Sequence, residues 1–188
     1  MKLIPIPALY RQQGAALITG LIFLVVLTMI GVTAARMSSL EERMSGNLRD
    51  RSLAMQAAEL ALRDAERDIT GAVPVAARGI SGITEFVADC GASTGANTDD
   101  GLCYNGPAGY VNPIWETANI LTAAPSVVYG AFTNAPALAG LSAQPRYLIE
   151  GMRRTPPGGS QVFYYRITAR AQGINPNTVV WLQETFSP

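Results

Sequence analysis

The stretch "RQQGAALITGLIFLVVLTMIGVTAARMSSLEERMSGNLRDRSLAMQAAELALRDAERDI", Arg11 to Ile69, decides how the rest of the chain is read. No charged residue lies between Arg11 and Arg36. Ala15 to Ala35 are 21 uncharged, mostly apolar residues. At about 1.5 Å per residue a helix of that length spans about 30 Å, the hydrocarbon thickness of a bilayer. A secretory signal core is usually only about 7–15 residues, so the segment is too long for an ordinary signal peptide. The small residues Val32-Thr33-Ala34 would nevertheless pass as a cleavage site. Lys2 and Arg11 precede the segment with no acid among them, which predicts a cytoplasmic N-terminus and places the remainder beyond the inner membrane.

The helix does not stop at Arg36. Leu48, Met55, Leu62 and Ile69 recur every seven residues, and Met44, Ala58 and Ala65 fall at helical spacing beside them. Together they predict an apolar stripe, with Glu59 and Arg63 as an i,i+4 pair on the polar side. No proline occurs from Ala8 to Val73, and ten of the twelve lie from Pro74 onward; proline removes a helical donor and clashes with the preceding turn. Gly71 and Pro74 supply a stop. One helix is therefore expected from about Ala15 to Ile69, roughly 80 Å long. It would span the membrane over residues 15–35 and be amphipathic over 36–70. Gly20, Gly31 and Gly46 weaken it by on the order of 1 kcal/mol each relative to alanine.

Composition narrows the function. Lys+Arg and Asp+Glu are both 14, so net charge does not steer the chain toward nucleic acid, and no basic cluster suggests a phosphate-tracking surface. There is no histidine, which removes the usual general base and the commonest metal ligand. Ser-His-Asp and Cys-His catalysis are excluded, and no catalytic residue, metal or cofactor is expected. The two cysteines, Cys90 and Cys103, would lie in an oxidising compartment and are expected to pair, with two unpaired thiols as the alternative. Closing that loop stabilises by roughly 3 kcal/mol in the chain-entropy model.

The short basic leader ending at Gly14, the hydrophobic helix directly after it, and "SSLEERMSGNLRDRSLAMQAAELALRDAE", residues 38–66, resemble the type IV pilins, specifically the PilX-type minor pilins. The resemblance is specific over residues 11–66 and loose over the remaining two thirds. It implies an α+β pilin-like fold, a long N-terminal helix packed on a small antiparallel β-sheet. It implies that prepilin peptidase removes residues 1–14 by cutting between Gly14 and Ala15, and that the new Ala15 amine is methylated. The helix first holds the subunit in the inner membrane and then packs against helices of other minor and major pilins, so its apolar surface is buried in both states. One position departs from the family. The fifth mature residue, usually glutamate, is Thr19 here, which cannot pair with a neighbour's N-terminal amine. Minor pilins and pseudopilins assigned to filament tips share that gap. The implied role is therefore to initiate assembly within a tip complex of minor pilins and an adhesin, serving pilus-based adhesion and twitching motility.

Beyond Pro74 the helical period disappears. "QVFYYRITARA", residues 161–171, alternates as a strand, with Phe163, Tyr165, Ile167 and Ala169 on one face and Tyr164, Arg166, Thr168 and Arg170 on the other. "RYLIEGM" from Arg146 and "VVWLQETF" from Val179 flank it as strands, separated by the turns "PPGGS" and "INPN". Residues 146–188 thus predict an antiparallel meander that needs the helix as a second layer. Residues 71–145 form a long connection, of a length that is usually functional or contains short strands, and the disulfide is expected to staple its tip. In "NTDDGLC", Asn97 to Cys103, the acids match a calcium loop only in part, and an Asp-Gly turn is expected. Trp115 and Trp181 read as core or half-buried sheet residues, with partner anchors as the alternative, and Arg153-Arg154 as a solvated surface beside a turn. Glu41-Glu42-Arg43 stands where the helix would leave the membrane and suits either solvation or ion pairs between subunits.

Two other functions fit parts of the pattern. A pseudopilin of a type II secretion system would share the helix and its processing. A membrane-anchored periplasmic enzyme would not need the signature, and no phosphate loop or paired-carboxylate pattern supports it.

Overall fold

The computed structural model describes residues 15–71, 78–88, 90, 100–104, 114–117 and 119–188. Helix α1 covers Ala15–Thr70, as the proline-free run requires. It ends at Gly71, whose φ of +66° is costly for any residue with a Cβ and whose N–H donates to the Arg67 carbonyl at 3.0 Å.

The chain divides into two compact units, residues 1–47 and 48–188. The described part of the first is helix alone, and every residue from 15 to 47 is exposed. That stretch of α1 is long and apolar enough to cross a membrane.

In the second unit the rest of α1 packs on a sheet of six described strands: β1 (Val87–Ala88), β2 (Leu102–Tyr104), β3 (Val127–Val128), β4 (Arg146–Arg154), β5 (Val162–Gln172) and β6 (Val179–Phe186). Strands β4, β5 and β6 form the antiparallel meander, with Ile149 opposite Ile167 and Ala169 opposite Leu182. The sheet as a whole is mixed rather than purely antiparallel. β2 runs parallel to β4, β1 runs parallel to β2, and β3 adds an antiparallel pair at the start of β4. The long connection therefore supplies the short strands β1, β2 and β3, with β2 paired on both sides, and its sequence was too short-patterned to place them.

The predicted stripe needs correction. Leu62, Ile69, Ala58 and Ala65 are buried, but Met44, Leu48 and Met55 are 61%, 62% and 47% exposed. Seven residues of a straight helix fall about 20° short of two turns. A strict heptad series therefore drifts, and Leu48 sits about 60° around the helix from Ile69. The buried arc is centred instead on Ala54, Ala58, Ala61 and Ala65. These short side chains let the helix backbone approach the sheet, where Tyr147, Ile149, Tyr165 and Ile167 supply the bulk.

Phe86 stacks on Tyr165 with ring centroids 5.7 Å apart, and the Tyr165 hydroxyl donates to the Gly82 carbonyl at 3.0 Å. This contact needs Gly151 in β4, because a Cβ there would come within 2.9 Å of Phe86 and 2.7 Å of Ile83.

The opposite face of β4 is covered too. Leu148 packs with Cys90, Cys103, Ile114, Ile120 and Leu121 in a second core. Cys90 and Cys103 form a disulfide, and both are buried. The bond thus sits in a core beneath the sheet, and residues 91–99 of the loop it closes lie outside the described residues. This covering also buries Thr168, on the face that the alternation set apart from Tyr165 and Ile167; its hydroxyl accepts from Gln183 Nε2 at 2.8 Å.

Candidate functional site

For a chain whose sequence points to assembly, the candidate site is the helix: what it leaves uncovered and what locks it to the sheet. Ala15 is the first described residue and opens α1, while Gly14 lies outside the described residues. Thr19 is exposed, and its hydroxyl donates to the carbonyls of Ala15 at 2.9 Å and Ala16 at 3.0 Å. Thr28 and Thr33 bond back to Val25 and Met29 in the same way. These bonds leave no hydroxyl unsatisfied in an apolar surrounding. Leu17, Ile18, Leu21, Phe23, Leu24 and Leu27 are each more than half exposed. The surface is thus apolar around its whole circumference and uncharged. Glu41 and Glu42 follow on the exposed helix, next to Arg43.

The lock between α1 and the sheet is polar, and sequence reasoning missed it. Asp64 and Asp68 are both buried, one turn apart. Asp64 accepts from the Gly130 N–H at 2.7 Å and from the Thr133 hydroxyl. Asp68 accepts from the backbone N–H of Arg78 at 3.2 Å, from its guanidinium, and from the Tyr147 hydroxyl at 3.2 Å. The Arg78 guanidinium stacks over Phe132, 3.9 Å from the ring centroid, and donates to the Asp100 carbonyl. Burial raises the Tyr147 phenol's pKa, and the neighbouring Asp68 charge raises it further. Two carboxylates at i,i+4 repel each other on a solvated helix. That repulsion, on an alanine-bearing face, was the available signal that their partners lie elsewhere in the chain.

A third aspartate fixes the β5–β6 turn. Asp50 accepts from the N–H groups of Ile174 and Asn175. Its pKa is lowered, first by the Thr178 side chain and then by these N–H groups. Gly173 permits the approach, since a Cβ there would lie 2.2 Å from the Asp50 carboxylate.

Arg63 pairs with Glu66 at 2.9 Å rather than with Glu59. Glu66 stands at the seam with β6, where Glu184 faces it and adds its own attraction for Arg63. Burial holds the Glu184 pKa up, and the like charge of Glu66 adds to that.

Other expected features are mostly spectators. Asp100 opens the turn before β2, and residues 97–99 lie outside the described residues. Among the described residues no cluster of three or more metal-binding side chains occurs. Trp115 is half-buried beside Ile114, and Trp181 is 45% exposed on the outer face of β6.

A helix uncovered and apolar in its first half, small-faced where a sheet packs on its second, defines a pilin-like α+β subunit. Family comparison agrees. Residues 13–63 match the PilX N-terminal family, and residues 99–188 match the C-terminal region of the type IV pilus assembly protein PilX. The chain belongs to the PilX family, whose members are structural components of type IV pilus assembly. No curated protein and no solved structure matches it.

Proposed function

We propose that the chain is a minor pilin that initiates type IV pilus assembly from the filament tip, in a complex with other minor pilins and an adhesin. Residues 1–14 act as a leader that prepilin peptidase removes after Gly14, and the exposed Ala15 amine is then methylated. Residues 15–35 hold the subunit in the inner membrane with the N-terminus cytoplasmic, and residues 36–188 stand outside. Assembly moves the same apolar helix surface from lipid into the filament core, so no large apolar area meets water on the way.

The observation that carries the tip position is Thr19. Its hydroxyl is bonded to its own helix's carbonyls and offers no charge to a neighbour's amine. A subunit in the shaft has neighbours on both sides along the filament, whereas a subunit at the end lacks one of them. Loss of one ionic contact is therefore tolerated at the end.

The test is the N-terminal sequence and mass of the chain recovered from membranes and from sheared filaments. Lys2 is the only lysine, so a chain cut before Ala15 has a single primary amine to probe. A methylated start at Ala15, with gold-labelled antibody confined to filament ends, is the expected result. A start at Ala35, an uncut Met1, or label spread along the shaft defeats the proposal.

A further inference from the structure

On one face of the β4–β5 hairpin, Arg166 and Arg154 have opposite fortunes. Along that face the cross-strand pairs are Leu148–Thr168, Glu150–Arg166, Met152–Tyr164 and Arg154–Val162. Arg166 meets Glu150 through two contacts, Nε to Oε2 at 2.7 Å and Nη2 to Oε1 at 2.8 Å. Glu150 is buried, so this side-by-side geometry is held inside the sheet. Arg154 lies two pairs further toward the turn and has no carboxylate partner among the described residues. It borders an open concavity of about 580 Å³ lined by Arg154, Pro156, Val162 and Tyr164. Val162 in that lining is 48% exposed.

We propose that this concavity is a docking site for an acidic peptide segment of a partner protein. The partner's carboxylate gives Arg154 what Glu150 gives Arg166, and an apolar side chain beside it covers Tyr164, Val162 and Pro156. Charge complementarity chooses the acid, because among the described residues of the lining the charge is a guanidinium, which suits two-pronged carboxylate recognition. The apolar floor chooses a peptide over a saccharide, since a sugar's hydroxyls would lose water without gaining partners. A single arginine also falls short of the several cations that a polyanion or anionic lipid surface recruits. Arginine and tyrosine in a desolvating pocket are the residue types on which protein interfaces concentrate their energy. The proposal does not depend on the tip assignment.

The test uses the full-length chain in its own cells, with the photo-crosslinker p-benzoylphenylalanine at Val162 and adducts mapped by mass spectrometry. Attachment to a protein segment bearing Asp or Glu beside the crosslinked residue is expected. Arg154→Glu should cut the adduct about tenfold, the scale of one charged contact. Arg154→Lys should keep part of it, and Arg153→Glu, on the other face of the strand, should leave it unchanged. Thermal melts of each variant confirm the fold, and Arg154→Gln replaces the glutamate variant should that one fail to fold. Adducts on glycan or lipid, adducts on segments without acids, insensitivity to both Arg154 variants, or no adduct at all would each overturn the proposal.

Discussion

The two halves of α1 are both rich in apolar residues, yet they are handled in opposite ways. From residue 15 to 47 every residue is uncovered and most of the apolar side chains are large, with Phe23 70% and Leu24 63% exposed. From Ala54 onward the face toward the sheet is mostly alanine and wholly buried. Side-chain size separates the two. Large side chains all around a helix suit a solvent or neighbour that can adapt, such as lipid or other helices. An alanine face suits one fixed partner at close range, because it lets that partner bring the bulk. Hydrophobicity thus marks where the subunit meets other molecules, and alanine together with buried aspartate marks where it meets itself.

The comparison breaks most visibly at Asp68. Asp68→Ala leaves Arg78 without its buried partner and should cost about 3–5 kcal/mol, read as a lower urea midpoint for the full chain in detergent. Thr19→Asp, in the other half, should leave that midpoint unchanged, because Thr19 bonds only to carbonyls of its own helix. A large loss of outer-domain stability from Thr19→Asp would contradict the division of roles.

The disulfide comes next. Cys90→Ser with Cys103→Ser should cost about 3 kcal/mol by the loop-entropy argument, and hydrogen exchange should rise at Leu121 and Leu148 before the helix–sheet core responds. Overfilling the alanine face with Ala61→Leu should cost about 1–3 kcal/mol, whereas Leu24→Ala should not alter the melting of the sheet at all.

A smaller effect tests the seam through pH. Glu184 has its pKa raised on folding, so the folded state holds its proton more tightly. Its contribution is complete below the unfolded value of about 4.3 and is lost as pH rises through the folded value. Asp50 has its pKa lowered. Its contribution is present above about 3.9 and fades as pH falls through the folded value. Glu184→Gln should therefore flatten the decline in stability on the neutral side of pH 4.3 without altering the acid limb. Asp50→Asn should do the reverse. Unfolding midpoints collected across that range for both variants separate the two, and a shared response would show that neither group titrates independently.

Much of the architecture was legible because it rests on local rules. A proline-free run with an uncharged apolar core has to be a helix, and strict alternation in residues 161–171 has to be a strand. The seven-residue series also pointed to the right end of the helix, but its drift carried Leu48 and Met55 out of the buried arc, while Met44 belongs to the stretch that is exposed all round. The polar lock was hidden for another reason. Asp64 is bonded to Gly130 and Thr133, and Asp68 to Tyr147, across separations that no window of sequence brings together. Strands β1 to β3 were hidden because two or three residues are too few to show a period, and pairing with β4 is what makes them strands.

By itself, then, the sequence determined the helix, its membrane-length apolar half, the meander and the family signature, because each depends on residue type at short range. Only the tertiary structure decided which face of the helix meets the sheet and that three aspartates secure it. It also placed the disulfide under the sheet and, among the described residues, left Arg154 without the carboxylate that Arg166 has. Those outcomes depend on which distant groups arrive within a few ångströms of one another, and a buried charge or a close-packed alanine is stable only once that partner is in place.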